Sequence, residues 1–206
     1  MPHADQVRIR SRWLPGWEPG RRGLAWLIPL SDQQGLRQLA NGYQYALVDL
    51  PGFDLVPLEW MHMLVQDVGF EDVVGSDRVE PLAAAARERL SALSPLALSF
   101  HQGVVLPESL ALPAEPQSAL DELRAALRQA SADVVGELPD EPDETDRHPA
   151  LAYSSAEGTG VFAAATLGAA MVEPATAKVD SVHLVRLSRD HSCTEWETLT
   201  EVPLGG

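Results

Sequence analysis

The stretch EWMHMLVQDVGF, from Glu59 to Phe70, sets one imidazole, His62, in an otherwise apolar run. A second stretch, RHPALAYSS from Arg147 to Ser155, sets His148 in a similar position. Both runs have the length and apolar content of a strand. Two strand histidines from separate parts of a chain can meet across a cleft, where one accepts a proton and the other donates one. Taken singly, each is more typical of a structural or surface histidine.

Strand alternation predicts which side chains accompany each histidine. Side chains two apart on a strand point to the same face. His62 would therefore share its face with Leu64 and Gln66. The residues that would align with His148 are Ala150, Ala152 and Ser154.

Composition narrows the class of protein. The 206 residues suffice for one large domain or two small lobes around a hydrophobic core. A formal net charge of -15 weighs against strong non-specific nucleic-acid binding, because phosphate-backbone affinity comes mainly from clustered Lys and Arg. The single cysteine, Cys193, excludes an internal disulfide and suits a reducing cytoplasm. The chain shows neither a signal-peptide core near its start nor a run of about 18 apolar residues, so it is predicted to be soluble, cytoplasmic and without membrane contact.

Positive charge is concentrated near the start of the sequence. Alternate arginines, Arg8, Arg10 and Arg12, would share one face of a strand and could present themselves to a phosphate. Charged side chains on an exposed edge strand also discourage unwanted pairing, and that simpler interpretation is favoured. A local basic site stays open as an alternative.

Apolar stripes of helical spacing alternate with strand-like runs along the chain. Three stripes predict helices: Leu36, Leu39, Tyr43 and Leu47; Val79, Leu82, Ala86, Leu90 and Leu93; and Leu120, Leu123 and Leu127. Asp77 and Glu80 form a capping-box pattern for the second helix, and the proline-punctuated segment 106–116 is predicted to be a loop. A fourth helix and two closing strands that form a hairpin are expected at 160–171, 179–187 and 196–202.

The surroundings of the two histidines resemble the active-site signatures of the 2H phosphoesterases, in particular the bacterial 2'-5' RNA ligase family proteins. WMHMLVQDVGF resembles the first signature and HPALAYS the second, and the likeness extends to WLPGWEPGRR and VDSVHLVRLSRD. The resemblance implies an α+β fold with two pseudo-symmetric lobes of antiparallel sheet, outer helices and a central cleft. Residues 1–206 would form one such bilobal domain, and the predicted order of helices and strands is compatible with it.

In enzymes of this family one histidine is a general base and the other a general acid on a phosphodiester, often a 2',3'-cyclic phosphate or a 2'-5' linkage, without a metal or cofactor. The resemblance implies these roles for His62 and His148 and leaves open which is which. Its implied ligand is a small nucleotide, an RNA end or another small molecule in the cleft, and it does not identify a protein partner. The sequence carries no HExxH, paired CxxC or calcium-loop motif, so no metal or cofactor is predicted.

The chain departs from the family pattern two residues after each histidine, where a threonine or serine would hydrogen-bond the phosphoryl oxygens. Leu64 and Ala150 stand there and cannot donate a hydrogen bond. Gln66 and Ser154, further along the expected motif faces, are candidate substitutes, although a structural role is the simpler interpretation of each. Two functions therefore stay open: a phosphoesterase with weakened or altered activity, or a scaffold that binds or converts a less polar small molecule.

Overall fold

The computed structural model describes residues 1–11, 14–139 and 147–205. Within these ranges, strands β1 to β13 are Gln6–Val7, Gly23–Pro29, Phe53–Leu55, His62–Phe70, Leu96–Phe100, Val104–Val105, Ser109–Ala111, Ala114–Glu115, Ala150–Ser154, Gly158–Thr159, Ala175–Val179, Ser181–Ser188 and Glu195–Pro203. Helices α1 to α5 are Gln34–Leu47, Glu71–Val74, Val79–Leu90, Gln117–Val135 and Val161–Ala169. Short 3₁₀ turns cover Leu58–Trp60 and Ser76–Arg78.

The strands form antiparallel sheets with helices packed outside them. One sheet has the strand order β13-β12-β2-β4, with α3 and α4 against it, and we call this unit the first lobe. The second lobe contains the sheets β3-β9-β7-β6 and β11-β5-β8, with α1 and α5 beside them. The two motif strands, β4 and β9, thus belong to different lobes. This is the α+β architecture that the sequence predicts.

The lobes are interleaved along the chain. The first lobe takes β2, β4, α3, α4, β12 and β13, while the second takes α1, β3, β5 to β9, α5 and β11. Strand β2 pairs with β12, which places Leu27 opposite His183 across most of the sequence. Neither lobe is a continuous stretch of chain.

Strand β2 is apolar along its length because it is a central strand of its sheet. Trp26 faces the helices and joins the main core, whereas Ala25 and Leu27 belong to a smaller apolar cluster on the opposite face. The Trp26 indole N–H donates to Ser131 Oγ of α4 at 3.0 Å, which satisfies its buried polar atom. The sheet therefore has a helix face and an opposite face, which we call the cleft face.

The predicted stripes of three helices are buried, as their spacing requires. The buried stripe residues are Leu36, Leu39, Tyr43 and Leu47 in α1; Leu82, Ala86 and Leu90 in α3; and Leu120, Leu123 and Leu127 in α4. The capping-box prediction is wrong, because Asp77 lies in a 3₁₀ turn and the N-cap of α3 is Arg78, which makes no side-chain cap bond. Helix α5 is shorter than predicted and leaves Phe162 exposed.

The segment 106–116 forms two short strands where a loop is predicted. Strand β7 pairs with both β6 and β9, and its three residues are buried. Runs this short between prolines carry too little periodicity to reveal a pairing that the neighbouring strands decide. The closing hairpin of β12 and β13 is confirmed, with Ser181 opposite Pro203. None of the helices that the structure describes combines the length and apolar content needed to cross a membrane.

Candidate active site

Strand β4 contains a β-bulge directly after the aliphatic motif position. Leu64 lies opposite Leu27 of β2, but the next pair is Gln66 opposite Trp26, so Val65 is an extra residue. Leu64 packs with Leu27 in the cluster on the cleft face. Past the bulge the two faces exchange, because one extra residue reverses the alternation.

The prediction that Gln66 shares the face of His62 is therefore wrong. Gln66 is fully buried, and its Nε2 donates to Asp67 O at 2.7 Å. Its Oε1 accepts from Arg128 Nη1 of α4 at 3.5 Å, on the helix face. In the structure this amide stabilises strand and helix packing and does not stand beside the motif histidine.

Strand β9 carries a bulge at the equivalent place. Ala150 lies opposite Ala111 of β7, and the next pair is Ala152 opposite Leu110, which leaves Leu151 as the extra residue. Ala152 belongs to the main core, whereas Ala150 packs beside a separate apolar cluster. Both motif strands thus keep the aliphatic position on one side and turn the following residues to the other.

The predicted alignment of Ser154 with Ala150 is wrong for the same reason. Ser154 follows Ala152 by two residues and so shares its side of the strand. It is buried, and its hydroxyl donates to Ala156 O at 2.7 Å. The hydroxyl is engaged in the local turn that follows the strand.

His62 is the first residue of β4 and is held by its neighbours. The side chain is buried, and Nδ1 lies 2.8 Å from Trp60 O. A carbonyl oxygen only accepts, so Nδ1 carries a proton and Nε2 is the nitrogen that can gain or lose one. The ring also meets Trp196 edge-on, with centroids 4.7 Å apart. These contacts fix both its tautomer and its orientation.

His148 precedes β9 and does not lie inside it, in contrast to the strand position that the sequence predicts. Its ring is buried, and within the described parts of the chain its Nδ1 has no hydrogen-bond partner. Burial, followed by the positive charges of Arg124 and Arg147, lowers the pKa of His148 to about 4. The ring is therefore neutral near pH 7.

Two small apolar clusters surround the aliphatic motif positions. One contains Ala25, Leu27, Leu64, Val185 and Leu187, with Trp17 and Trp196 against it; the other contains Val56, Tyr153 and Cys193, with Trp60 and Ala150 against it. Trp60 and Trp196 meet edge-on at 5.0 Å and so connect the clusters. Burial raises the pKa of the Cys193 thiol, which favours its protonated form. The surroundings of Leu64 and Ala150 are thus built from hydrocarbon and aromatic rings.

The arginine-rich segment contributes to this region at one position. The Arg10 guanidinium lies 3.7 Å from the ring centroid of Tyr153, and Nη2 donates to Thr194 Oγ1 at 3.0 Å. Arg8 pairs with a carboxylate at 2.7 Å, and Arg12 lies outside the described residues. Arg10 thereby joins the motif strand of the second lobe to the β12–β13 hairpin loop of the first.

The remaining strand-associated histidines have ordinary partners. His101 lies in the loop after β5 with its side chain 54% exposed. His183 Nδ1 lies 3.2 Å from Thr198 Oγ1 on the neighbouring strand. Both therefore have structural or partly exposed roles. Among the residues that the structure describes, no three histidine, cysteine or carboxylate side chains group to hold a metal ion.

The sequence does not single out Arg124 of α4, one of the arginines that the structure shows as buried. The buried face of this helix runs through Leu120, Arg124, Leu127 and Ser131, a spacing of four, three and four residues. Arg124 lies within the leucine stripe, four residues after Leu120 and three before Leu127, so the helical spacing places it on the buried face. A charged residue at such a position is rare unless it is paired, which marks it for attention.

No protein-family model and no curated protein matches the chain. Solved structures match its fold. TT0787 of Thermus thermophilus superposes with a TM-score of 0.67 and 17% identity, over 89% of this chain and 98% of that one. E. coli LigT complexed with 3'-AMP gives a TM-score of 0.65 and 16% identity, over 90% and 99%.

A further structure, described as a phosphoesterase, covers 92% of this chain and all of its own, with 16% identity and a TM-score of 0.57. The likeness extends over nearly the whole of each chain, and at these identities it concerns the fold. The protein therefore has the fold of LigT and the related 2H phosphoesterases.

Proposed function

We propose that this protein acts on a small phosphodiester, such as a 2',3'-cyclic phosphate or a 2'-5' linkage, with His62 and His148 as its acid and base. The observation that carries the proposal is their equivalent placement. Each stands two residues before an aliphatic position that a β-bulge follows, one in each lobe. Two histidines so related in a fold shared with LigT favour paired proton transfer at a single substrate.

The two environments support different roles for the imidazoles. His148 is neutral near pH 7, because burial lowers its pKa to about 4, and a neutral ring accepts a proton before it can donate one. We assign it the role of base, which takes a proton from the water that attacks the phosphorus. His62, carrying a second proton on Nε2, gives that proton to the leaving oxygen, and in the reverse reaction the roles exchange.

We expect the rate to be low because both motif hydroxyls are absent. Leu64 and Ala150 cannot donate to the phosphoryl oxygens. Loss of one such donor typically costs about 10²- to 10³-fold in rate, comparable with the roughly 10²- to 10⁴-fold that a positioned acid or base supplies. The site thus keeps its two acid/base groups but stabilises the negative charge on the phosphoryl oxygens less well.

The proposed ligand is a small nucleotide or the end of an RNA. LigT has been crystallised with 3'-AMP, ATP, NADP+ and phosphate, so this fold accommodates phosphate esters. In this chain the aromatic rings of Trp60 and Trp196 lie near His62, and aromatic rings suit contact with a base.

A second candidate function is non-hydrolytic binding, or conversion, of a less polar small molecule. The apolar clusters around Leu64 and Ala150 favour it, since a charged phosphate beside hydrocarbon is unfavourable without other donors. Under this alternative the cleft would accept an aromatic or aliphatic ligand, and the histidines would serve as hydrogen-bonding groups.

One experiment separates the two candidates. The purified protein is incubated with 2',3'-cyclic AMP and with a 2'-5' linked dinucleotide, beside His62→Ala, His148→Ala and, as a matched control, His101→Ala at an exposed loop position. The phosphoesterase predicts turnover that falls about 10²- to 10⁴-fold in the first two variants and is kept in the control. Turnover that survives both motif changes would refute the acid/base pair. A folded but inactive wild type would favour the binding alternative.

A further inference from the structure

A cavity of about 650 Å³ lies in the second lobe, apart from the two motif strands. Helices α1 and α5, the loop after β5 and the first residues of the chain line it. Its described lining residues include neither motif histidine and neither aliphatic motif position. Cavities that bind small molecules in proteins measure about 300 to 1,000 Å³, so this one has the volume of a ligand site.

The buried end of the cavity is apolar. Tyr43 of α1, Leu167 of α5 and Gly103 meet there, and all three are buried. A Cβ atom at Gly103 would lie 2.9 Å from Leu167 Cδ2 and 3.5 Å from the Tyr43 ring. Val172, which is partly buried, also lines the cavity. These side chains would contact the hydrocarbon part of a ligand.

The Tyr43 hydroxyl makes one hydrogen bond and can make a second. Its oxygen accepts from the Gly103 N–H at 3.0 Å. Within the described ranges of the chain, no acceptor takes the phenolic proton. The Tyr43 residue is only 3% exposed, and a buried donor is unfavourable until an acceptor reaches it. A ligand oxygen in the cavity would complete the hydrogen bonds of this hydroxyl.

His3 provides a second donor among the lining residues. Its Nδ1 accepts from the Val105 N–H at 3.1 Å, so Nδ1 carries no proton and Nε2 carries the proton of the ring. The Ala4 N–H donates to Val105 O at 2.8 Å, which holds this segment against β6. The cavity thus offers an O–H and an N–H group to an acceptor.

Charge indicates that the acceptor belongs to an uncharged molecule. Glu115 also lines the cavity, with its side chain 67% exposed to solvent. Its carboxylate repels an anion, and so does the formal net charge of -15 on the whole chain. A carbonyl oxygen has two lone pairs and no charge, so it can accept from two donors without this repulsion.

We propose that this cavity binds a small uncharged molecule whose carbonyl oxygen accepts from the Tyr43 hydroxyl and whose hydrocarbon part packs on Leu167 and Val172. The site is separate from the motif strands, so the inference does not rest on the phosphodiester function proposed above. Apolar contact supplies most of the affinity in such a site, and the hydroxyl fixes the orientation of the ligand.

Three probes separate these contributions in NMR titrations of the whole chain. Acetophenone carries a carbonyl oxygen, toluene has no acceptor, and benzoate is charged. We expect acetophenone to shift the amide resonances of Gly103 and Gly168 saturably, with about millimolar affinity. Toluene should bind about 3- to 10-fold more weakly, because it leaves the Tyr43 proton unpaired. Benzoate should also bind more weakly than acetophenone, and tighter binding of benzoate would overturn the assignment of an uncharged ligand.

Two variants test the site directly. Tyr43→Phe removes the phenolic proton, so acetophenone should bind about 3- to 10-fold more weakly while toluene stays within about twofold of wild type. Tyr45→Phe, the same change at a position of α1 that is 83% exposed, should match wild type for both probes. A Cβ atom at Gly168 would meet no atom within 4 Å, so Gly168→Leu extends a side chain into open space beside the cavity. It should abolish acetophenone binding without lowering the unfolding temperature, because leucine favours a helix more than glycine does.

Absence of a saturable shift at Gly103 and Gly168 up to about 10 mM acetophenone would overturn the site. Equal acetophenone affinity in wild type and folded Tyr43→Phe would overturn the hydrogen bond to the hydroxyl. If Tyr43→Phe does not fold, wild type and Gly168→Leu still decide the matter. Equal affinities of wild type for acetophenone and toluene would then overturn the role of the carbonyl oxygen, and undiminished binding in Gly168→Leu would overturn the location.

Discussion

Strands β4 and β9 share a backbone pattern, but the histidine near the start of each lies in a different environment. Each has an aliphatic residue where a hydroxyl would be expected and a β-bulge immediately after it. His62 is held by a carbonyl oxygen and an indole edge. His148 is buried beside positive charge, and its Nδ1 has no hydrogen-bond partner among the described residues. The difference teaches that backbone symmetry between the lobes does not carry symmetry of chemistry. One imidazole is oriented by hydrogen bonding, and the other is made neutral by its surroundings.

Restoring both hydroxyls should have the largest effect. In Leu64→Thr/Ala150→Ser, each hydroxyl can donate to a phosphoryl oxygen, so we expect hydrolysis of 2',3'-cyclic AMP to rise about 10²-fold or more. The measurement is the initial rate under saturating substrate. Leu64→Val, which has the shape of threonine without its oxygen, is the matched control and should not gain activity. A folded double variant as slow as wild type would show that these positions do not face the reacting phosphate.

The second largest effect is expected on the free energy of unfolding at acid pH, which should distinguish His148 from His62. The pKa of His148 is about 4 in the folded protein and near 6.5 when unfolded, so between these values only the unfolded state binds the proton. The free energy of unfolding should therefore be highest above about pH 6.5 and fall towards pH 4, by up to about 3 kcal/mol. Urea unfolding of wild type and His148→Gln across this range measures the effect. The variant should lose that part of the slope, and His101→Gln should keep it. An identical slope in His148→Gln would contradict the buried neutral ring.

The smallest effect is expected on the far side of the bulges. Gln66→Met and Ser154→Ala change side chains that point away from the aliphatic motif positions, so phosphodiesterase activity should stay within about threefold of wild type. Their hydrogen bonds are structural, and each loss should cost about 1 kcal/mol of unfolding free energy. Kinetic assays beside thermal unfolding check both parts. A large loss of activity with unchanged stability would return these residues to the ligand site.

Many of the helices and strands can be predicted from the periodic spacing of apolar residues in the sequence. The leucine stripe of α4 and the closing hairpin each depend on a periodicity repeated over many residues. The bulges do not, because Val65 and Leu151 look like ordinary strand residues and only pairing with a neighbour reveals them as extra. The strand runs beside both histidines can therefore be recognised from the sequence, whereas the faces on which Gln66 and Ser154 lie cannot. Arg124 also fits the helical spacing of α4, but a stripe defined by apolar residues does not include a charged one.

The interleaving of the lobes has a consequence for how the molecule assembles during synthesis. Strand β2 can pair with β12 only after most of the chain has been synthesised. Trp196, whose ring contacts His62, lies on the last strand, β13. Contacts between such distant residues slow folding, because the entropy cost of closing a long loop comes before the stabilising contact forms. The sheet of the first lobe cannot be completed before β12 and β13 have been synthesised. The surroundings of His62 therefore depend on residues from distant parts of the chain, and a fragment ending before β13 would lack the contact of Trp196 with His62.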